Sequence, residues 1–188
     1  MSVYEDMKHI FEAANMRLTQ ADRSLFNMKV SERTLCGALA LHLHEVLKET
    51  KYSSYYVDVE YNRNKGGKLK TYKKTAIGPE EKIVSIVCDL IMHSRGENIL
   101  QDNLLAIEMK KSTRPKKEKA RDKERLEALT KETYDDIWSY DGKSFPEHVC
   151  RYALGVYYEI NFGKNEISIE YYNSGSKIEE STLMYSQT

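Results

Sequence analysis

The chain has 188 residues, 31% of them charged and 40% hydrophobic, which suits a single soluble domain with a real core. No apolar run approaches the roughly 20 residues needed to cross a bilayer, and the opening MSVYEDMKHIF lacks the basic-then-apolar pattern of a secretory signal. Lys and Arg balance Asp and Glu at 29 each, which excludes a uniformly basic nucleic-acid binder and leaves open a locally basic one.

In chain order, residues 3–18 predict an amphipathic helix, with Met7, Ile10, Phe11, Ala14 and Leu18 on one face. With its flanks it forms an N-terminal helical extension over 1–30. A second helix is predicted over 31–49, with Ser31 as N-cap and a stripe of Leu35, Cys36, Leu39, Leu43, Val46 and Leu47. Its His42 and His44 fall on different faces, so they do not share a ligand. The alternation of Tyr55, Val57, Val59 and Tyr61 marks a half-buried strand over 55–62.

A polar turn through Gly66–Gly67 follows, and Gly78–Pro79 breaks the chain before an apolar strand over 83–93. The next strand covers 103–110, so the three strands form an antiparallel meander. A charged helix is expected over 117–138, with Leu126, Leu129, Thr133 and Ile137 on one side. Strands over 151–161 and 166–172 make a hairpin through the turn Phe162–Asn165. The tail from 173 to 188 is polar and reads as frayed. The fold class is therefore mixed α/β, one domain over 1–188, with a central mixed sheet of about five strands flanked by helices in the order α-α-β-β-β-α-β-β.

Three cysteines, Cys36, Cys88 and Cys150, sit in apolar surroundings at unpaired spacings. That pattern fits reduced core thiols in a cytoplasmic protein, and no Cys or His spacing suggests a zinc site. The charges are segregated. Arg63, Lys65, Lys68, Lys70, Lys73 and Lys74 form a block without acids, and Lys110 to Arg125 carries nine cations against three acids. Each block holds a net +6, so the remaining residues hold −12. The blocks read as a nucleic-acid surface or as solvated loops.

The two strands over 83–93 and 103–110 carry acids where a core strand should be apolar. Asp89 interrupts the first, and Glu108 and Lys110 lie two apart, on one face of the second. A buried carboxylate needs a partner, and a divalent cation suits two converging ones. This Asp followed by Glu-x-Lys resembles the core of the PD-(D/E)xK nuclease superfamily, the restriction-endonuclease-like fold, over about 31–172. Cys88 stands where that motif often has Pro, a residue that is not a ligand.

The resemblance implies that Asp89, Glu108 and the backbone carbonyl of Met109 hold Mg²⁺, which Mn²⁺ would replace, and that Lys110 stands beside the attacking water. It also implies a helix-borne Glu in the site, for which Glu32 is the candidate, as catalytic residue and metal ligand. Glu32 reads equally as a first-turn acid complementing the helix dipole. Lys111, Arg114, Lys116 and Lys117, with the 63–74 block, would hold the nucleic-acid backbone, DNA favoured over RNA. The function implied is a metal-dependent DNA endonuclease of restriction, repair or defence type, acting as a homodimer or within a larger complex. The alternative is an idle nucleic-acid-binding or protein-interaction module that keeps the fold.

Overall fold

The fold is that of a computed structural model, which describes residues 2–61, 71–74, 82–85, 88–98, 100–132 and 151–186. Ser2 opens helix α1 (Val3–Ala21) by a reciprocal cap: its hydroxyl accepts from the Glu5 amide, and the Glu5 carboxylate accepts from the Ser2 amide. A short helix α2 (Arg23–Asn27) follows, which the sequence pattern had not marked. Helix α3 (Glu32–Lys48) begins at the expected cap, where the Ser31 hydroxyl accepts from the Thr34 amide at 3.1 Å.

Strand β1 (Tyr56–Val59) is followed by β2 (Thr71–Lys74), β3 (Lys82–Ser85), β4 (Leu90–His93) and β5 (Asn103–Lys111). Helix α4 (Lys116–Thr130) then leads to β6 (Leu154–Asn161), β7 (Glu166–Asn173) and β8 (Ser176–Met184). The main sheet has six strands in the order β1-β4-β5-β6-β7-β8, and β2 and β3 pair separately. The pairings β1–β4 and β4–β5 are antiparallel, whereas β5 and β6 run parallel. A parallel neighbour requires a crossover, and α4 lies on that crossover. The sheet is therefore mixed and carries helices on both faces.

Four expectations are corrected. The apolar stretch 83–93 is not one strand: β3 pairs with β2, and only β4 joins the main sheet. Period-two alternation cannot mark where a strand changes partner. The tail is not frayed, because β8 pairs with β7 along its length and Tyr185 is buried behind it. Ser174 and Gly175 both take positive φ, the geometry of a tight hairpin turn. With β8 the main sheet has six strands rather than five. The helix expected over 117–138 already ends at Thr130, where Lys131 turns extended, and Thr133, Ile137 and Cys150 lie outside the described residues. The other helix and strand expectations hold within a few residues.

The sheet separates two cores. On one face, Met7, Phe11, Leu18, Leu35, Leu39 and Leu43 of α1 and α3 pack on Leu90, Leu105, Ile107, Met109, Val156 and Tyr158. The Tyr158 hydroxyl donates to Asn15 Oδ1 at 2.8 Å, so α1 is pinned to the central strands. On the other face, Leu126 and Leu129 of α4 cover Ile91, Ala106, Tyr157 and Tyr172.

The close approach of α4 to the sheet depends on Gly155. A Cβ there would stand 3.0 Å from Thr130 Cγ2, whose rotamer is fixed by the hydroxyl donating to the Leu126 carbonyl, and 3.1 Å from Tyr172 Cβ, which moves only with its backbone. Gly155→Ala is therefore expected to destabilise the chain by about 1–3 kcal/mol, the usual cost of overpacking. Urea unfolding of the variant against the wild-type chain measures it.

Candidate active site

Period two decides the face on which each motif residue lies. The β4–β5 ladder pairs Leu90 with Ile107, so one residue further Asp89 stands beside Glu108. Glu108 and Lys110 point to the α4 side with Ala106, while Ile107 and Met109 point to the α1–α3 core. The structure thus brings Asp89, Glu108 and Lys110 together, as the motif required.

Lys110 is the hub. Its ammonium donates to Asp89 Oδ2 and to the Met109 carbonyl, each at 3.2 Å. It also stands 3.3 Å from Asp122 Oδ2 and 4.0 Å from Glu108 Oε2. Asp89 Oδ2 additionally accepts from the Met109 amide at 2.8 Å. The Arg125 guanidinium reaches Glu108 Oε1 at 2.5 Å and Asp122 Oδ1 at 3.3 Å. Three carboxylates therefore share two cations in a region where Glu108 is only 1% exposed.

Burial pushes the Glu108 carboxyl up to about 8, with the Asp89 and Asp122 carboxylates adding to the shift and Arg125 opposing it. Burial also raises Asp122, against the pull of Lys110 and Arg125. Lys110 goes the other way. Burial alone would lower it, but Asp89, Glu108 and Asp122 together hold it above its ordinary value. It is therefore firmly an ammonium.

Asp122 and Arg125 were missed by the sequence reading. They lie three apart on α4, the spacing that puts two side chains on one helix face. The adjoining Leu126 and Leu129 mark that face as the buried one. A charged residue next to a core stripe is the signal that finds them.

Glu32 is not among this group. Its carboxylate accepts from the Lys111 amide at 2.8 Å and from Arg114 through both oxygens, at 2.9 and 2.8 Å. Burial raises its pKa, but these donors more than offset that and leave it below the usual carboxylate range. It shares with Asp89 a cleft of about 300 Å³ whose wall includes Cys36, Lys111 and Arg114. At the lip, Arg33 grips Glu60, and the Glu60 amide donates to the Asp89 carbonyl at 3.2 Å.

The Lys111 ammonium leans away from the hub, over the Phe162 ring and 3.4 Å from the Lys29 carbonyl. Lys116 and Lys117 are exposed in the first turn of α4. Lys73 and Lys74 lie in β2, and Arg63, Lys65, Lys68 and Lys70 fall outside the described residues. His93, at the end of β4, is buried: Asp58 Oδ2 lies 2.9 Å from Nε2 and the Tyr61 ring packs tilted against the imidazole. It belongs to a structural pair that Arg95 closes on the same Asp58. His42 meets Asp22 at 2.7 Å and His44 is exposed, so neither is near the hub.

Among the described residues, no three Asp, Glu, His or Cys side chains are spaced to hold a metal ion. The donor set nonetheless suits a hard divalent cation. Asp89, Glu108 and the Met109 carbonyl offer only oxygens, and all three already surround one positive charge, the Lys110 ammonium. No protein-family model matches the chain, and no match is found among curated proteins or solved structures.

Proposed function

We propose that this chain is a divalent-metal-dependent nuclease with a restriction-endonuclease-like core, acting on DNA. The observation that carries the reading is the ring of oxygens from Asp89, Glu108 and Met109 around the Lys110 ammonium. The order of α3, the β1-β4-β5 meander, α4 and the parallel β6 supports the same reading. Asp89, Glu108 and the Met109 carbonyl would hold Mg²⁺ or Mn²⁺. Such an ion supplies charge neutralisation at the phosphate and a more acidic bound water.

In hydrolysis a water oxygen bonds to phosphorus, the bond to the leaving oxygen breaks, and that oxygen takes up a proton. Lys110, kept protonated by its acidic neighbours, acts here as a donor and not as a base. Its charge orients the water or stabilises the negative charge that builds on the phosphoryl oxygens. Glu108 must give up its proton to serve as a ligand. Glu32 holds the Lys111 amide and Arg114 in place along the cleft, where a phosphate backbone would lie. The expected assembly is a homodimer or a larger complex on the DNA.

Purified protein is expected to cleave single-stranded, duplex or branched DNA in Mn²⁺ and not in EDTA. The second reading, an idle nucleic-acid-binding module, is favoured by the way Arg125 occupies Glu108. It prevails if the protein binds DNA and cuts none of these substrates in Mn²⁺.

Binding is expected to be strongly salt-dependent, because cations on phosphates release counterions. Replacing Lys68, Lys70, Lys73 and Lys74 by Ala should weaken binding to all sequences alike. It should also flatten the plot of log affinity against log salt, by roughly one unit for each phosphate that a lysine no longer neutralises. Titrations at several salt concentrations read the slope directly, and an unchanged slope means that these lysines do not contact phosphates.

A further inference from the structure

Among the described residues, the Lys110 ammonium has four oxygen neighbours, and they are not equivalent. Asp89, Glu108 and the Met109 carbonyl are the oxygens assigned above to a divalent cation. The fourth, Asp122 Oδ2 at 3.3 Å, comes from α4. Asp122 is 5% exposed, and among the described residues this buried Oδ2 finds no well-aligned hydrogen-bond donor. A buried carboxylate oxygen left in that state costs free energy, and its one close partner is the ammonium. The other oxygen, Oδ1, is fixed by Arg125, which also grips Glu108.

From this geometry we infer that Asp122 is a positioning residue for Lys110. It keeps the ammonium at the reacting centre when Asp89, Glu108 and the Met109 carbonyl turn to a divalent cation. The inference rests on the metal-dependent reading above. It follows from the set of partners: with those three oxygens engaged elsewhere, Asp122 is the neighbour that remains to Lys110 in this cluster. Without Asp122 the lysine, on its flexible four-carbon stem, would swing out to water. Arg125 serves the arrangement indirectly, by setting the rotamer of Asp122.

The test uses the full chain and its variants Asp122→Asn and Asp122→Glu, with Mn²⁺ as the metal. Three quantities are read: Mn²⁺ affinity, single-turnover cleavage, and acylation of Lys110 by a small amine reagent followed by mass spectrometry. Without Mn²⁺, Lys110 should be protected in wild type and in Asp122→Asn alike, because Asp89 still holds it. With Mn²⁺, Lys110 of Asp122→Asn should be acylated faster than in wild type by about tenfold, the lower end for removing a charge-assisted partner. Cleavage should fall by about ten- to a hundredfold, Mn²⁺ affinity should stay within a fewfold, and Asp122→Glu should restore part of both losses.

Equal protection of Lys110 in the two Mn²⁺-loaded proteins overturns the assignment to Asp122. Failure of the wild-type chain to bind Mn²⁺ overturns the metal reading and this inference with it. If Asp122→Asn does not fold, Asp122→Ser takes its place in the same comparison.

Discussion

Lys110→Ala is expected to slow single-turnover DNA cleavage by about a hundredfold or more, the usual loss when a positioned catalytic group is removed. Lys111→Ala, one residue on, should keep most of the activity and at most weaken DNA binding. The two differ because alternation along β5 turns Lys110 into the acidic hub and carries the Lys111 ammonium out over Phe162. Mn²⁺ affinity separates the lysine from the ligands. Lys110→Ala removes a cation that competes for Asp89 and the Met109 carbonyl, so metal binding should survive or tighten. Glu108→Ala should lose metal binding and cleavage together. A dead Lys111→Ala with an active Lys110→Ala means that the Glu-x-Lys match is accidental.

That contrast was legible in the sequence because period two is the most dependable property of a strand. Two residues on one face, flanked by apolar ones, need no tertiary information. The Ser31 cap and the stripe of α3 were legible for a similar reason: Ser31 and its leucines act within one element. What escaped left no mark within its own segment. The edge strand β8 exposes Lys177, Ile178, Glu180, Ser181 and Met184, so it shows no buried alternation to find. Only the turn at Ser174–Gly175 announced it. The same holds for His93, buried because Asp58 and Arg95 meet it across the sheet edge. Asp122 and Arg125 look like two more charges in a basic helix until α4 is laid on β5.

The arrangement also shows what a metal-free hub requires. Asp89, Glu108 and Asp122 face Lys110 and Arg125, an excess of one carboxylate around a Glu108 that is itself closed to water. An unbalanced buried charge is strongly unfavourable. The simplest relief is a proton on the least exposed acid, and Glu108 is the acid that burial raises to about 8. A divalent cation would offer the same relief with more charge, so under the proposed metal-dependent reading proton and cation would compete for one carboxylate.

Stability against pH reads the proton side alone, with no metal present. The Glu108 carboxyl is pushed up from 4.5 to about 8. Between those values the folded chain holds a proton that the unfolded chain has released. The contribution is therefore full below about pH 4.5, is lost as pH rises through about 8, and is flat above that. Glu108→Gln removes the titration while keeping the shape and an acceptor for Arg125. The stability of the variant minus that of wild type should climb by on the order of 1.4 kcal/mol per pH unit across this window. At pH 5 the variant should be the less stable of the two or equal, and at pH 8 the more stable. Urea unfolding of both proteins at pH 5, 6, 7 and 8 measures the difference, in which the titration of the histidines cancels. A difference that does not change with pH would mean that Arg125 keeps Glu108 ionised throughout, and the excess charge would then have to be relieved at Asp122.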